Sequence, residues 1–88
     1  MAVRPSSSHP RRAMNRDALE QCLRDAKADL ALVDKHISRQ RQIIVDLEQS
    51  GQDARIARIL LQEAEETRAV YVADAAWLAE QLEQQRAA

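Results

Sequence analysis

The stretch LEQSGQDARIARILL, residues 47–61, contains the only glycine of an 88-residue chain, with helix-forming residues on both sides of it. Gly51 either interrupts one long helix or turns the chain back so that two helices can pack. Glycine enters the left-handed backbone region without a steric penalty, and Asp53 is a favoured helix N-cap. Ser50 and Asp53 also match the S-x-x-D capping box, which moves the boundary without removing it. The local chemistry therefore predicts a turn at residues 50–53.

The apolar positions before Gly51 are spaced alternately by four and three residues, which is the heptad seam of a packed helix. Eight of these nine positions are apolar, and the exception is Gln40. No Pro or Gly lies between Asn15, a suitable N-cap, and Ser50, so a first helix is predicted over about 16–50. The seam positions are Leu19, Leu23, Ala26, Leu30, Val33, Ile37, Gln40, Ile44 and Leu47.

The same spacing continued through Gly51 meets three charged residues, so one uninterrupted helix has no continuous seam. When the count restarts after the glycine, seven of eight positions are apolar. They are Ala57, Leu61, Ala64, Arg68, Tyr71, Ala75, Leu78 and Leu82. This change of phase predicts a second helix over about 54–86 and an all-α, coiled-coil-like antiparallel hairpin. The alternative is a continuous helix that tolerates one glycine at a cost of about 1 kcal/mol.

Two seam positions are polar, Gln40 in the first helix and Arg68 in the second. A polar residue at such a site penalises wrong pairings, so both are interpreted as residues that specify register. For Arg68 there are two alternatives to a role in register: its guanidinium extends into solvent, or it pairs with an acid such as Asp34.

A hairpin centred near Gly51 brings together residues whose numbers add up to roughly 103. The expected neighbours are Leu47 with Ile56, Val33 with Val70, and Ala26 with Trp77.

The apolar surface of the two predicted helices is wider than one partner helix covers. In AVYVADAAWLA, residues 69–79, Asp74 is the only non-apolar residue, and a helix that is apolar on nearly all sides is normally buried in a bundle. We expect two hairpins to dimerise into a four-helix bundle, with residues 69–79 as an alternative docking patch for another protein. The predicted interaction face is Ile56, Val70, Tyr71, Trp77 and Leu78.

The composition agrees with a protein that needs association for stability. The chain is short and has no Phe, one Trp and one Tyr, so aromatic residues cannot supply a dense core. A single cysteine, Cys22, excludes an intrachain disulfide and paired-thiolate zinc sites, and favours a reducing cytoplasm. No segment has the roughly 20 apolar residues of a membrane span. The net charge of −1 provides no global attraction for nucleic acid.

Residues 1–14 form a distinct segment that contains both prolines and three arginines but no acid. The segment has no hydrophobic period, so it is expected to be a disordered basic tail, and Met14 is a second possible start. A basic arm can neutralise a few phosphates, which leaves nucleic-acid association through this tail as the alternative function.

Residues that could support catalysis or metal binding do not form a recognisable motif. Cys22, Asp29 and His36 recur every seven residues, but seven residues of helix rise about 10.5 Å, too far for one ion. QEAEET, residues 62–67, supplies acids without a Glu-x-x-His pair, and these acids are interpreted as solvent-facing. No catalytic residue, metal or cofactor is predicted, and an enzyme is not expected.

The pattern resembles small uncharacterised bacterial two-helix proteins over about residues 16–85. In that pattern a heptad-rich first helix is followed by a G-x-D-like turn, a Leu-Leu pair, a Glu-x-Thr step and a hydrophobic tail. The corresponding residues are Gly51, Asp53, Leu60, Leu61, Glu65, Thr67, Tyr71 and Leu78. The resemblance implies a two-helix fold and no activity. The function predicted from the sequence is therefore a self-associating interaction or scaffold module.

Overall fold

The structure of the protein is a computed structural model that describes residues 15–87. It contains helix α1, Arg16–Gln49, and helix α2, Arg55–Ala87. The described residues contain no strand, and the two helices contact each other. The predicted all-α two-helix hairpin is therefore confirmed, whereas the predicted tail, residues 1–14, lies outside the described residues.

Helix α1 begins at an N-cap that the sequence predicts. The side-chain Oδ1 of Asn15 accepts a hydrogen bond of 2.8 Å from the backbone N–H of Ala18, and the carbonyl oxygen of Asn15 accepts from Leu19 N–H at 3.0 Å. Asp17 lies in the first turn, where the positive end of the helix dipole favours a carboxylate. Both features stabilise the start of α1 at Arg16.

Helix α1 ends in a Schellman motif centred on Gly51. The φ angle of Gly51 is +71°, a left-handed conformation that glycine adopts without the steric cost of a Cβ. The N–H of Gln52 donates to the carbonyl of Leu47 at 2.8 Å, and the N–H of Gly51 donates to the carbonyl of Glu48 at 3.1 Å. These two bonds satisfy helix-end carbonyls and turn the chain back.

The capping-box interpretation of Ser50 and Asp53 is wrong. Ser50 is the C-cap of α1, and its hydroxyl donates backward to the carbonyl of Asp46 at 2.9 Å instead of forward to the next helix. The hydroxyl of Ser50 therefore belongs to the end of α1.

Asp53 lies one residue earlier than an N-cap of α2. The first helical carbonyl is that of Ala54, which accepts from the N–H of Arg58 at 2.9 Å. The carboxylate of Asp53 accepts from the backbone N–H of Arg55 at 2.9 Å and from its guanidinium at 2.8 Å. These bonds lower the pKa of Asp53 from its usual range, with the side-chain bond as the main cause, and raise the pKa of Arg55.

The core between the helices is thin and rich in alanine. None of the described side chains is buried to below 2 % exposure, and three of the six buried apolar residues are alanines. The buried apolar residues are Leu19, Ile37, Ala54, Ala57, Ala64 and Leu78. Because all three alanines come from the turn or α2, the backbone of α2 can approach α1 closely.

The close approach of the backbones explains the environment of Gln40, which is 6 % exposed. Its side-chain Nε2 donates to the backbone carbonyl of Ala57 across the interface at 3.2 Å. The buried amide thus has a partner whose position depends on the register of the two helices.

Contacts across the hairpin show that the helices are antiparallel. Arg41 of α1 pairs with Glu65 of α2, whereas the earlier residue Asp34 pairs with the later residue Arg68. Residues of α1 and α2 whose numbers add up to roughly 103 therefore lie at the same level, meaning the same height along the long axis of the hairpin. This sum does not describe side-chain direction, because Ile56 and Val70, expected to face α1, are 70 % and 58 % exposed.

Candidate interaction surface

One long side of the hairpin, which we call the ion-pair face, carries three charged pairs that join the helices. The guanidinium of Arg41 lies 3.0 Å from the carboxylate of Glu65, and that of Arg68 lies 2.5 Å from Asp34. The guanidinium of Arg58 donates a hydrogen bond to the carboxylate of Glu48 near the turn. The pair between Arg68 and Asp34 confirms one of the alternatives predicted for Arg68. The face is formed by Asp34, Arg41 and Glu48 of α1 and by Arg58, Glu65 and Arg68 of α2.

Charges alternate along both helices of the ion-pair face. The three α1 residues are spaced by seven and run negative, positive, negative, and each meets an opposite charge on α2. A slip of seven residues in one direction brings Arg41 beside Arg58 and Asp34 beside Glu65. Like charges then replace opposite ones, so the alternation favours the observed register. Glu65, predicted to be only solvent-facing, takes part in this pairing.

The opposite side of the hairpin, which we call the groove face, carries most of the exposed large apolar side chains. Seven of the nine such residues among those described lie there, and Val45 and Val72 lie on the ion-pair face. The seven are Leu32, Ile43, Ile56, Ile59, Leu60, Val70 and Trp77.

Helical spacing assigns these residues to one side. Residues three, four or seven apart share a helix face. In α1 the row contains Asp25, Asp29, Leu32, His36, Arg39 and Ile43. In α2 the row contains Ile56, Ile59, Leu60, Glu63, Thr67, Val70, Asp74 and Trp77.

A groove runs along this face between the two helices. It consists of three adjoining depressions of about 620, 240 and 240 Å³ that share lining residues. Asp29 and Tyr71 join the largest depression to the middle one, and Val33, His36 and Thr67 join the middle one to the third. The groove therefore extends from Trp77 to the level of Leu60.

The two ends of the groove face differ in charge. At the open end of the hairpin, three carboxylates, Asp25, Asp29 and Asp74, surround the largest depression together with Cys22 and Trp77. No Lys, Arg or His of the described residues lines this depression.

The half of the groove face nearer the turn is more apolar and carries an arginine, Arg39. Four of the seven exposed apolar residues lie in this half: Ile43, Ile56, Ile59 and Leu60. The charged or titratable groups of its rows are His36, Arg39 and Glu63. The open half is thus strongly acidic, whereas the turn half carries charges of both signs.

The predicted interaction residues have three different environments. Ile56, Val70 and Trp77 are exposed on the groove face, with Trp77 at 38 % exposure. Tyr71 is half-buried and lines the groove. Leu78 is 9 % exposed and belongs to the core between the helices. Leu78 therefore contributes to the hairpin itself and has little surface left for an outside partner.

The structure places every apolar residue of the two predicted seams at a buried or half-buried position, and of the two polar seam residues Gln40 is buried whereas Arg68 is exposed. Leu19 and Ile37 are buried. The half-buried ones include Leu23, Leu30, Val33, Ile44, Leu47, Leu61 and Leu82. The predicted turn residues Gly51 and Asp53 lie between the helices, and both are exposed.

Sequence reasoning omitted Leu32, Ile43, Ile59 and Leu60 from the interaction face. The signal that assigns them was present in the spacing, because Leu32 and Ile43 are four and seven residues from His36. Ile59 and Leu60 follow Ile56 by three and four residues. What separates the two sides of the hairpin is the row of ion pairs, which the spacing of apolar residues alone does not reveal.

The described region was also compared with the requirements of a metal site and of a membrane-spanning helix. Within residues 15–87, no three His, Cys, Asp or Glu side chains converge as a metal ion would require. Neither of the two helices combines the length and apolar character needed to cross a bilayer.

Comparison with known proteins gives no relative for this chain: no family model, no curated protein and no solved structure matches it. Of the predicted resemblance, the structure supports the two-helix, all-helical architecture of the described residues.

Proposed function

We propose that the protein is a non-enzymatic interaction module that self-associates, with two hairpins packed groove face to groove face in a four-helix bundle. The observation that carries this proposal is the unequal distribution of exposed apolar residues, seven on the groove face and two on the ion-pair face. Contiguous exposed apolar surface on a small protein marks an interaction site. The cytoplasm is the proposed location, because the single cysteine suits a reducing compartment.

The thin core of the hairpin supports a second copy as the occupant of this face. Small chains bury too little surface for high stability, and here half of the buried apolar residues are alanines. A second hairpin covers the groove face of both copies at once, because a twofold interface uses the same surface twice. Full burial of a Val, Leu or Ile side chain contributes about 1.5–3 kcal/mol, so seven half-exposed residues per copy are a substantial gain.

The alternative to a second copy is a different protein that docks on residues 69–79 of the same surface. Trp and Tyr are common binding hot spots, and Trp77 and Tyr71 both line the groove. A monomeric chain with an intact hairpin is the result that favours this occupant. The nucleic-acid alternative relies on the basic tail, which lies outside the described residues.

The test compares two valines on α2 that are two residues apart and point to opposite sides. Val70 on the groove face is 58 % exposed, and Val72 on the ion-pair face is 41 % exposed. In Val70→Asp a dimer must bury two additional carboxylates, which we expect to raise the dissociation constant at least about 100-fold. Val72→Asp is the matched control and is expected to leave association unchanged.

Light scattering with circular dichroism provides the measurement. The wild-type chain and Val72→Asp should both have a mass near twice 10.0 kDa. Val70→Asp should be monomeric, and a parallel loss of helicity is expected because the isolated hairpin has a thin core. A wild-type mass of one chain at micromolar concentration, or equal effects of the two substitutions, would contradict the proposal.

A further inference from the structure

We infer that the two hairpins of the dimer lie antiparallel, with the turn end of each copy over the open end of the other. This inference rests on the proposed self-association and concerns its geometry. A twofold dimer through the groove face has two possible orientations. In the parallel one both turns lie at the same end of the bundle, and in the antiparallel one they lie at opposite ends.

The charge polarity of the groove face decides between these orientations. Asp25, Asp29 and Asp74 surround the depression at the open end. A parallel dimer places this group against its own copy, so that six carboxylates share one end of the interface. Like charges brought together in a partly dehydrated interface repel and weaken association. The antiparallel dimer instead places each acidic end over the turn half of the other copy.

The α1 row of the groove face is complementary to itself in the antiparallel orientation. Asp29 precedes the centre of the row, and Arg39 follows it at nearly the same distance, with Leu32 and His36 between them. When the row is laid against a second copy in reverse, Asp29 meets Arg39 of the partner subunit, and this contact occurs twice. The α2 row has an acid on both sides of its centre, Glu63 and Asp74, so its reversal adds two like-charge contacts, which are fewer than the six clustered carboxylates of the parallel dimer.

The apolar residues also find partners in this arrangement. Trp77 lies about 37 Å from the turn along α2, at 1.5 Å per residue. In the antiparallel dimer its level coincides with the turn half of the other copy, which carries four of the seven exposed apolar residues. The largest depression, lined by Trp77, Tyr71 and Cys22, thus receives the most apolar part of the opposing hairpin.

Spin labels at the two ends of the hairpin test the orientation. Gln52→Cys places a label at the turn and Glu83→Cys places one near the open end, each in a Cys22→Ala background so that the groove carries no label. In the antiparallel dimer two turn labels, or two open-end labels, are about 40 Å or more apart, given 1.5 Å of rise per residue. A turn label and an open-end label on different copies are within about 25 Å.

The parallel dimer gives the reverse pattern, with short distances between like labels and a long distance in the mixed sample. Pulsed electron resonance on the like-labelled and mixed samples therefore distinguishes the two orientations. Short distances between like labels overturn the inference and leave self-association intact. A sample that light scattering shows to be monomeric overturns both the inference and the proposed function.

A charge substitution provides a second test that needs no label. In the antiparallel dimer, Asp29→Arg places an arginine against Arg39 of the partner subunit, and we expect dimerisation to weaken about 3- to 10-fold. In the parallel dimer the same substitution relieves repulsion between Asp29 and the acids around it, so dimerisation tightens. The combination of Asp29→Arg with Arg39→Glu should restore the wild-type dissociation constant. A tighter dimer for Asp29→Arg contradicts the antiparallel orientation.

Discussion

The two long sides of this hairpin are formed by the same pair of helices, yet they differ in almost every property that governs interaction. The ion-pair face carries three bridges between α1 and α2, with side chains that remain about half exposed. The groove face carries seven exposed apolar side chains and a groove between the helices. The charged groups of the ion-pair face are paired within the chain, whereas the apolar side chains of the groove face are in contact with water.

This difference separates two tasks that one apolar stripe cannot perform alone. Half-exposed ion pairs contribute little free energy, about 0.2–1 kcal/mol each, but their alternating signs penalise a shifted register. Apolar contacts contribute more free energy and specify register weakly. We propose that the ion-pair face sets the alignment within the hairpin, whereas the groove face provides the free energy for the next level of assembly.

The largest single-residue effect is expected for Trp77→Ala on the groove face. Trp77 is 38 % exposed in the hairpin, so part of its ring is already packed and the remainder is available to a second copy. Removal of a large core side chain costs about 3–5 kcal/mol when it is fully buried, and we expect about 2–4 kcal/mol here. Urea denaturation at two protein concentrations measures this loss and shows whether it includes association.

Val72→Ala is the control for Trp77→Ala, because it removes apolar atoms from the ion-pair face of the same helix. We expect it to change the free energy of unfolding by less than about 1 kcal/mol. The denaturation midpoint of the Trp77 variant should depend less on protein concentration than that of the wild type. Equal losses in both variants, with unchanged concentration dependence, would remove the distinction between the two faces.

The next largest effect is expected at the turn, on which both faces depend. A Cβ built on Gly51 meets no atom within 4 Å, so a substitution there is penalised only by the φ angle of +71°. The left-handed conformation costs an L-residue roughly 1–2 kcal/mol, and a β-branched side chain is the least tolerant. Gly51→Val should therefore lower the free energy of unfolding by about 2 kcal/mol, and Gly51→Asn by less.

Denaturation at low and high salt distinguishes the turn from the ion-pair face. Backbone strain at residue 51 involves no charge, so the loss in Gly51→Val should be the same at both salt concentrations. A loss that disappears in high salt, or an equal loss for the Asn and Val variants, would show that the φ angle of Gly51 is not the cause.

The hairpin could be predicted from sequence because its determinants are local. Gly51 supplies the left-handed turn, and the change of seam phase shows that the residues after it form a separate helix. The details of the cap could not be assigned in the same way. The residue types of Ser50 and Asp53 match the capping-box pattern. Ser50, however, has a φ of −87° and a ψ of 1° at the end of α1, and its hydroxyl donates to the carbonyl of Asp46 in the preceding turn.

The candidate surface was harder to predict, because it depends on rotation about the helix axes. The sum of residue numbers gives the level of a residue, so it places Val33 and Val70 side by side without showing that Val70 points outward. The hydrogen-bond partner of Gln40 could not be predicted from the sequence either, because it is a backbone carbonyl and every residue has one. The ion pairs across the hairpin locate one side of it, and helical spacing then assigns each apolar residue to that side or to the opposite one.

The smallest effect is expected within the ion-pair face, where a double-mutant cycle on Asp34 and Arg68 measures what one bridge contributes. The side chains of this pair are 53 % and 45 % exposed, so we expect a coupling energy of about 0.2–1 kcal/mol between Asp34→Asn and Arg68→Gln. Because the charges are solvated, salt at 1 M, where the Debye length is about 3 Å, should abolish most of this coupling.

The same two variants also test whether the faces act independently. Neither residue lies on the groove face, so both single variants and the double variant should retain the mass of the wild-type assembly while their stability falls slightly. A coupling energy above about 2 kcal/mol that persists in 1 M salt would indicate a buried pair rather than a solvated bridge. Loss of assembly in either variant would show that the ion-pair face contributes to association, and the division of tasks between the two sides would fail.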